Sequence, residues 1–400
     1  MKPERLKILF PAVALSTVVL LLAGCGKSSP TSTPDPSVPK PPGNFYQPPD
    51  PLPHGEPGAL IWAERVALPT NPPATVWRML YHSRNRAGGD VAVSGFAIVP
   101  KAKAPADGRS VYAWGHGTVG LGDQCAPSKP KNIGDSFPPY GGKVALEGGV
   151  VVATDYEGLG TPGTPPFGGV SEGQSVLDSA RAVKSLPNVG AISDVILAGH
   201  SQGGRAALFA GELAATYAPE LQIKGVVALA PGAELATLIE AQQRSLVIGG
   251  LLIGAISVNA AYPEVKLEAF LTPAALADVA RVTSECIDAT VERWRGSEAG
   301  AIFTSDLLKS PELKRIFDEN SPGATDPKVP MLIVHGTTDA QVPVDISATL
   351  ASRYCALGTK VTRRVYPNVD HDGIIDAALK DVLAWMTERF EGKAGTSTCT

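Results

Sequence analysis

The chain has 400 residues, 44% of them hydrophobic and 18% charged, and a formal net charge of −4. That balance supplies a sizeable core and excludes global disorder. It also excludes nucleic-acid binding as a primary task, because no basic run with interleaved aromatics occurs.

Lys2, Arg5 and Lys7 give the chain a positive start. An apolar stretch follows from Ile8 to Gly24, broken only by Pro11, Ser16 and Thr17, and it ends in Leu22-Ala23-Gly24-Cys25. The stretch is short for a membrane span, and small residues before a cysteine are the pattern of a bacterial lipoprotein signal. Residues 1–25 are therefore expected to be a signal peptide, with Cys25 as the lipid-bearing mature N-terminus. The protein would then be exported and held by its lipid to a membrane of the bacterial cell envelope, on an outer face or in the periplasm. Cys125, Cys286, Cys355 and Cys399 remain. Their even number suits two disulfides in an oxidising compartment, and they lack the close paired spacing of a zinc site. No metal is expected.

Residues 26–57 are dominated by Pro, Ser and Thr and read as an extended spacer. From residue 58 to 400 the text is globular. Strands are expected at Leu60–Val66, Thr75–His82, Asp90–Val99, Ser110–Trp114 and Gly149–Thr154. A helix follows at Ser171–Ser185, a strand at Asp194–Ala198, a helix at Arg205–Tyr217 and a strand at Lys224–Ala230. The last strands are Pro330–His335 and Lys360–Tyr366, and Ile374–Phe390 closes the chain as an amphipathic helix. Alternation of this kind predicts an α/β fold: a mainly parallel sheet with helices on both faces. About a hundred residues between Ala230 and Met331 break the alternation with helical patterns. They predict a helical cap at about 233–325, placed over the carboxyl ends of the strands where ligands bind. Within it the run Ser245–Val258 is nearly all apolar and reads as a core helix of the cap or as a lipid-facing lid surface.

Gly199-His200-Ser201-Gln202-Gly203 matches G-x-S-x-G between an expected strand and an expected helix. Such a turn must be sharp, and it lifts the serine hydroxyl above the sheet with a helix N-terminus behind it. A serine needs a base held in one tautomer by an acid, and this α/β-hydrolase arrangement runs in the order Ser, acid, His. Only His335 and His371 follow Ser201 in the chain. His371 lies in the loop between the last strand and the last helix, where the base belongs. Asp339 lies in the loop after a strand end, where the acid belongs, and His335 then lines that loop. Asp370 and Asp372 are rival acids, but immediate neighbours of His371 are poorly placed to bond its ring. Expected oxyanion donors are the Gln202 amide and the Gly117–Thr118 loop of Gly115-His116-Gly117-Thr118, with the Thr118 hydroxyl as a further donor. His116 and His200 flank the site, either lining an acyl pocket or packing.

These segments together resemble the secretory lipases of the lipase A type, a branch of the α/β-hydrolases. Besides the serine motif, the resemblance rests on Cys125-Ala126-Pro127-Ser128, on Asp155-Tyr156-Glu157-Gly158-Leu159-Gly160, and on His335-Gly336-Thr337-Thr338-Asp339. It implies an ester or lipid substrate, a helical cap, no cofactor, and disulfides Cys125–Cys286 and Cys355–Cys399. The neutral oxyanion loop departs from family members that carry an acidic side chain near the position of Thr118. The expectation is a monomeric serine ester hydrolase, a lipase or esterase forming an acyl-enzyme on Ser201. A serine peptidase or amidase, an acyltransferase, and a non-catalytic envelope lipoprotein are the alternatives.

Overall fold

The computed structural model describes residues 38–67, 72–134, 136 and 138–399. The expected signal peptide and Cys25 lie outside these residues.

Nine strands form one sheet: β1 (Leu60–Val66), β2 (Ala74–Arg84), β3 (Asp90–Pro100), β4 (Arg109–Gly115), β5 (Val150–Glu157), β6 (Ile192–His200), β7 (Ile223–Leu229), β8 (Met331–Gly336) and β9 (Val361–Tyr366). Their order is β1-β2-β3-β5-β4-β6-β7-β8-β9. The first three strands and β5 pair antiparallel, and from β5 to β9 every pairing is parallel. The mainly parallel α/β-hydrolase fold expected from the sequence is therefore present.

The two-residue period of the central strands builds two cores. Val111 and Ala113 of β4, Val150 and Val152 of β5, and Val195 and Leu197 of β6 enter one core. Their neighbours Tyr112, Trp114, Val151, Ala153, Ile196 and Ala198 enter the other. Such strands are apolar at every position because both faces are covered. The first core is closed by α2 (Gly169–Ala182), α3 (Gln202–Tyr217) and α10 (Val344–Ala356). The second is closed by α1 (Gly141–Leu146), α11 (Ile374–Ala377) and α12 (Leu379–Phe390). The expected single helix Ile374–Phe390 is thus two helices meeting at Ala378. Its apolar period runs on across the break, since Ile374, Ala378, Val382 and Trp385 all enter the same core.

Between β7 and β8 lie α4 (Leu235–Gln242), α5 (Gly249–Ala261), α6 (Pro273–Val282), α7 (Ile287–Arg293), α8 (Ala299–Ile302) and α9 (Pro311–Glu319). Two starts follow local chemistry: the Thr272 and Ser310 hydroxyls accept from Ala275 and Leu313 amides, each with proline at the next position. These helices share a core of their own. The apolar run Ser245–Val258 is its centre, with Leu252 and Ile256 buried, so the core reading of that run describes it.

The spacer reading of residues 26–57 does not describe residues 38–57. Phe45 and Tyr46 are buried against Trp62 and Leu80 of the sheet, and the Trp62 indole donates to Phe45 O at 2.9 Å. Two adjacent aromatics within a proline-rich stretch bury enough apolar area to dock it.

Candidate active site

Ser201 sits between β6 and α3 with φ 57° and ψ −118°. A side chain other than glycine holds such a backbone only when its surroundings impose it, at about 1–3 kcal/mol. The surroundings are glycines in contact. A Cβ on Gly199 would stand 2.0 Å from Gly203 O, and one on Gly203 would stand 1.9 Å from Gly115 O. Any larger residue would push the turn away from the β4 loop.

His371 is buried at the end of the β9–α11 loop, and its Nδ1 donates to Asp339 Oδ2 at 2.7 Å. The same oxygen accepts from His335 Nε2 at 3.1 Å. Asp339 Oδ1 accepts from the amides of Gln341 and Val342 at 2.9 and 2.7 Å. Burial works to raise the Asp339 carboxyl. The bonds from His335 and His371, the charge of His371 and the Val342 amide outweigh it and hold the group well below the usual carboxylate range. His335, read from sequence as a loop-lining residue, is thus a direct second partner of Asp339. The rival acids stand elsewhere: Asp370 Oδ1 accepts from Gly373 N at 2.8 Å, and Asp372 is exposed.

His200 joins the serine turn to the histidine loop. Its Nε2 donates to His371 O at 2.9 Å, and the two imidazoles lie 4.6 Å apart. Burial, then the nearby His371, pushes His200 down to about 4, so it stays neutral. No hydrogen bond joins Ser201 Oγ to the His371 ring among the described residues; such contacts commonly tighten only around substrate. His200, His371 and Asp372 bring one ligand-capable atom each within 4.8 Å of one another. With His371 Nδ1 already held by Asp339, this trio is part of the histidine's surroundings rather than a metal centre.

The loop after β4 faces the serine, and a Cβ on Gly117 would lie 3.6 Å from Ser201 Cβ. Ser201, Gln202, His116 and Thr118 all line one cavity. Its remaining wall comes mainly from the helical layer, including Leu238, Ile239, Leu251, Phe270 and Phe317. An apolar cavity ending at a serine with a few polar groups suits an acyl chain.

Two sequence segments meet behind the site. The Asp155 carboxylate accepts from Ser94 Oγ at 2.6 Å, from Ser128 N at 2.9 Å and from Ser128 Oγ. Burial pushes Asp155 up to about 6, against the pull of these hydroxyls. The disulfide Cys125–Cys286 joins the same loop to the start of α7, and Cys355–Cys399 ties the C-terminal tail to α10. Gly120 also bridges Cys286 through the backbone, and Ile287 N donates to Val119 O at 2.9 Å.

Sequence reasoning missed the pair Glu172 and Arg205. Both are about 97% buried, with Arg205 Nη2 donating to both carboxylate oxygens at 2.9 Å. Glu172 Oε1 also accepts from the Gln202 side chain at 3.0 Å. Burial pushes the Glu172 carboxyl up, and Arg205 and Gln202 oppose that. The only signal in the sequence is an acid and a base in the first turns of two helices, and buried Ser175, Asp178 and Ser179 along α2 blur it further.

The sequence profile of the secretory lipases matches residues 143–398. The chain belongs to the secretory lipase family. Among curated relatives, a Mycobacterium tuberculosis protein named "Probable inactive lipase MT1628" is 27% identical over 371 residues, spanning 87% of this chain and 82% of the relative. "Secreted triacylglycerol lipase LIP4" of Malassezia globosa is 26% identical over 382 residues, spanning 89% of this chain and 82% of the relative. Among solved structures, Candida antarctica lipase A in its closed state superposes with a TM-score of 0.78 at 23% identity, covering 89% of this chain and 87% of that one. The rice cell wall degrading esterase LipA from Xanthomonas oryzae superposes with a TM-score of 0.69 at 17% identity, covering 85% of this chain and 100% of that one. Both share the fold. Family membership makes the chain a carboxylic ester hydrolase by class. No helix of the described residues is long and apolar enough to cross a membrane.

Proposed function

We propose that the chain hydrolyses acyl esters through an acyl-enzyme on Ser201, with His371 as general base and Asp339 as its acid. The observation that carries this is the 2.7 Å bond from His371 Nδ1 to a carboxylate held ionised, beside a serine in a strained turn. His371 Nε2 takes the Ser201 proton as Oγ attacks the ester carbonyl. The imidazolium is stabilised by Asp339, and the oxyanion by the amides of Gln202 and the Gly117–Thr118 loop. His371 then protonates the leaving alcohol, and water clears the acyl group by the reverse sequence. The acyl chain lies in the cavity beneath α4 and α5, the arrangement of a lipase or esterase.

The name of the mycobacterial relative favours one competing reading, a fold kept without turnover. The intact Ser201, Asp339 and His371 set supports catalysis instead. Hydrolysis of p-nitrophenyl esters of increasing acyl length decides between them. Wild type should turn them over, and Ser201→Ala should lose roughly 10⁴-fold or more in kcat. An inert wild type that also resists a fluorophosphonate probe would establish the non-catalytic reading. Faster cleavage of amino-acid anilides, or transfer to an added alcohol outrunning hydrolysis, would shift the assignment to amidase or acyltransferase.

The lipid anchor on Cys25 belongs to the same proposal: it would hold the monomeric enzyme to a bacterial envelope membrane after export. Globomycin treatment of an expressing cell should leave the unprocessed chain, and a Cys25→Ser chain should be released from membranes.

A further inference from the structure

The buried Glu172–Arg205 pair has no part in proton transfer, yet it stands in the first turns of α2 and α3, one turn from the nucleophile. The backbone of Arg205 is itself bonded to the serine, its amide donating to Ser201 O at 3.2 Å. Charge pairs this deep are seldom kept for stability, because well-packed apolar residues of similar volume do as well or better. This pair is also not built for strength. Both of its bonds leave from Arg205 Nη2, while Nε and Nη1 find no partner among the described residues. Phe167 covers the guanidinium, with its ring centre 4.2 Å from Cζ.

The carboxylate does reach the residue after the serine. Glu172 Oε1 takes the Gln202 side-chain amide and Arg205 Nη2 together. Gln202 is thereby fixed at two points, by its backbone in the elbow and by its side chain on α2. The two helices lie close beneath this link: Gly173 of α2 meets the α3 backbone, where a Cβ would stand 2.8 Å from Ala210 N. Arg205 has a second effect. A bare carboxylate beside the Gln202 amide would repel negative charge growing on the substrate oxygen, and the guanidinium cancels it.

We propose that Glu172 and Arg205 are positioning residues for the oxyanion hole: they clamp the Gln202 side chain so that its backbone N–H stays aimed at the developing oxyanion. This deepens the ester-hydrolase reading and rests on it. A clamp of this kind acts in the transition state and not on the bound ester. Losing an oxyanion donor outright costs about 10²- to 10³-fold in kcat, and a donor left misaimed should cost roughly 10- to 100-fold.

Two variants remove the clamp by different routes. Gln202→Met keeps the backbone amide and deletes the side-chain bond. Glu172→Leu/Arg205→Met replaces the pair with apolar groups and leaves no charge stranded. In each, kcat for p-nitrophenyl butyrate should fall 10- to 100-fold with KM within about threefold of wild type. Affinity for butylboronic acid, which mimics the tetrahedral intermediate on the serine, should fall by the same factor, while the thermal midpoint holds. Should the double variant fail to fold, Gln202→Met carries the test alone. A folded variant with wild-type kcat, or one in which only KM rises, overturns the clamp. Ser201→Ala runs alongside: if it is dead while the clamp variants match wild type, the clamp alone is wrong. If Ser201→Ala retains activity, the acyl-enzyme reading falls and the clamp falls with it.

Discussion

At the scale of single residues, the site combines one strained backbone with several buried charges. Glu157 lines the cavity, and its Oε2 has no partner among the described residues. Burial pushes its carboxyl up to about 7 from the ordinary 4.5. Between those values the folded chain binds more protons than the unfolded one. The stability contributed by protonated Glu157 is therefore complete below pH 4.5 and is lost as pH rises through 7. Glu157→Gln, neutral throughout, should raise stability at pH 8 by ~3 kcal/mol relative to wild type and change little at pH 4. Urea unfolding at the two pH values checks this, and an equal shift at both would contradict it. The places of Ser201, Asp339 and His371 in the fold were legible because each stands where a short local pattern follows the end of a strand. Glu172 and Arg205 were not, because their pairing crosses two helices and no spacing along the chain records it. His335 was half legible: its place on the loop was readable, its bond to the acid was not.

At the scale of elements, the chain's alternation of strand and helix was readable because apolar period and turn residues agree along β4 to β8. Helix ends were less so, as the division of the last helix at Ala378 shows: no proline or glycine stands at the break, and packing alone decides it. The meeting of Ser128 with Asp155 explains why two separate segments carry the family's likeness, since one supplies the hydroxyl and amide that the other's carboxylate requires. The two disulfides make unequal demands. Cys125–Cys286 closes a separation of 161 residues and Cys355–Cys399 one of 44. Loop entropy makes the first worth about 5 kcal/mol and the second about 4 kcal/mol as upper values. Activity should separate them far more than stability. Cys125→Ala/Cys286→Ala should lower kcat because the Gly117–Thr118 loop loses its anchor on α7. Cys355→Ala/Cys399→Ala should lower the thermal midpoint and leave kcat near wild type. Equal losses of kcat in both pairs would refute this difference.

For the whole molecule, residues 38–57 belong to the folded body although their composition suggests otherwise. Tyr46 carries the Lys129 ammonium over its ring, 3.5 Å from the centroid, and shares a hydroxyl contact of 3.1 Å with Ser128, which in turn holds Asp155. A chain starting at Val38 should melt like the longer one, whereas a chain starting at Ala59 should melt roughly 5 °C lower. Calorimetry on the two truncations compares them directly.

The helical layer and the loop after β4 are riveted together three ways: by Cys125–Cys286, by the backbone bridge at Gly120 and Cys286 with its Ile287 amide on Val119 O, and by the amide of Gly122 on Glu285 O. A hatch made of that layer could not swing clear without dragging the Gly117–Thr118 loop away from Ser201. Entry for an acyl chain is then left to side chains yielding along α4 and α5. Turnover should climb smoothly as an ester passes from dissolved molecules into droplets, with no sudden jump at the solubility limit.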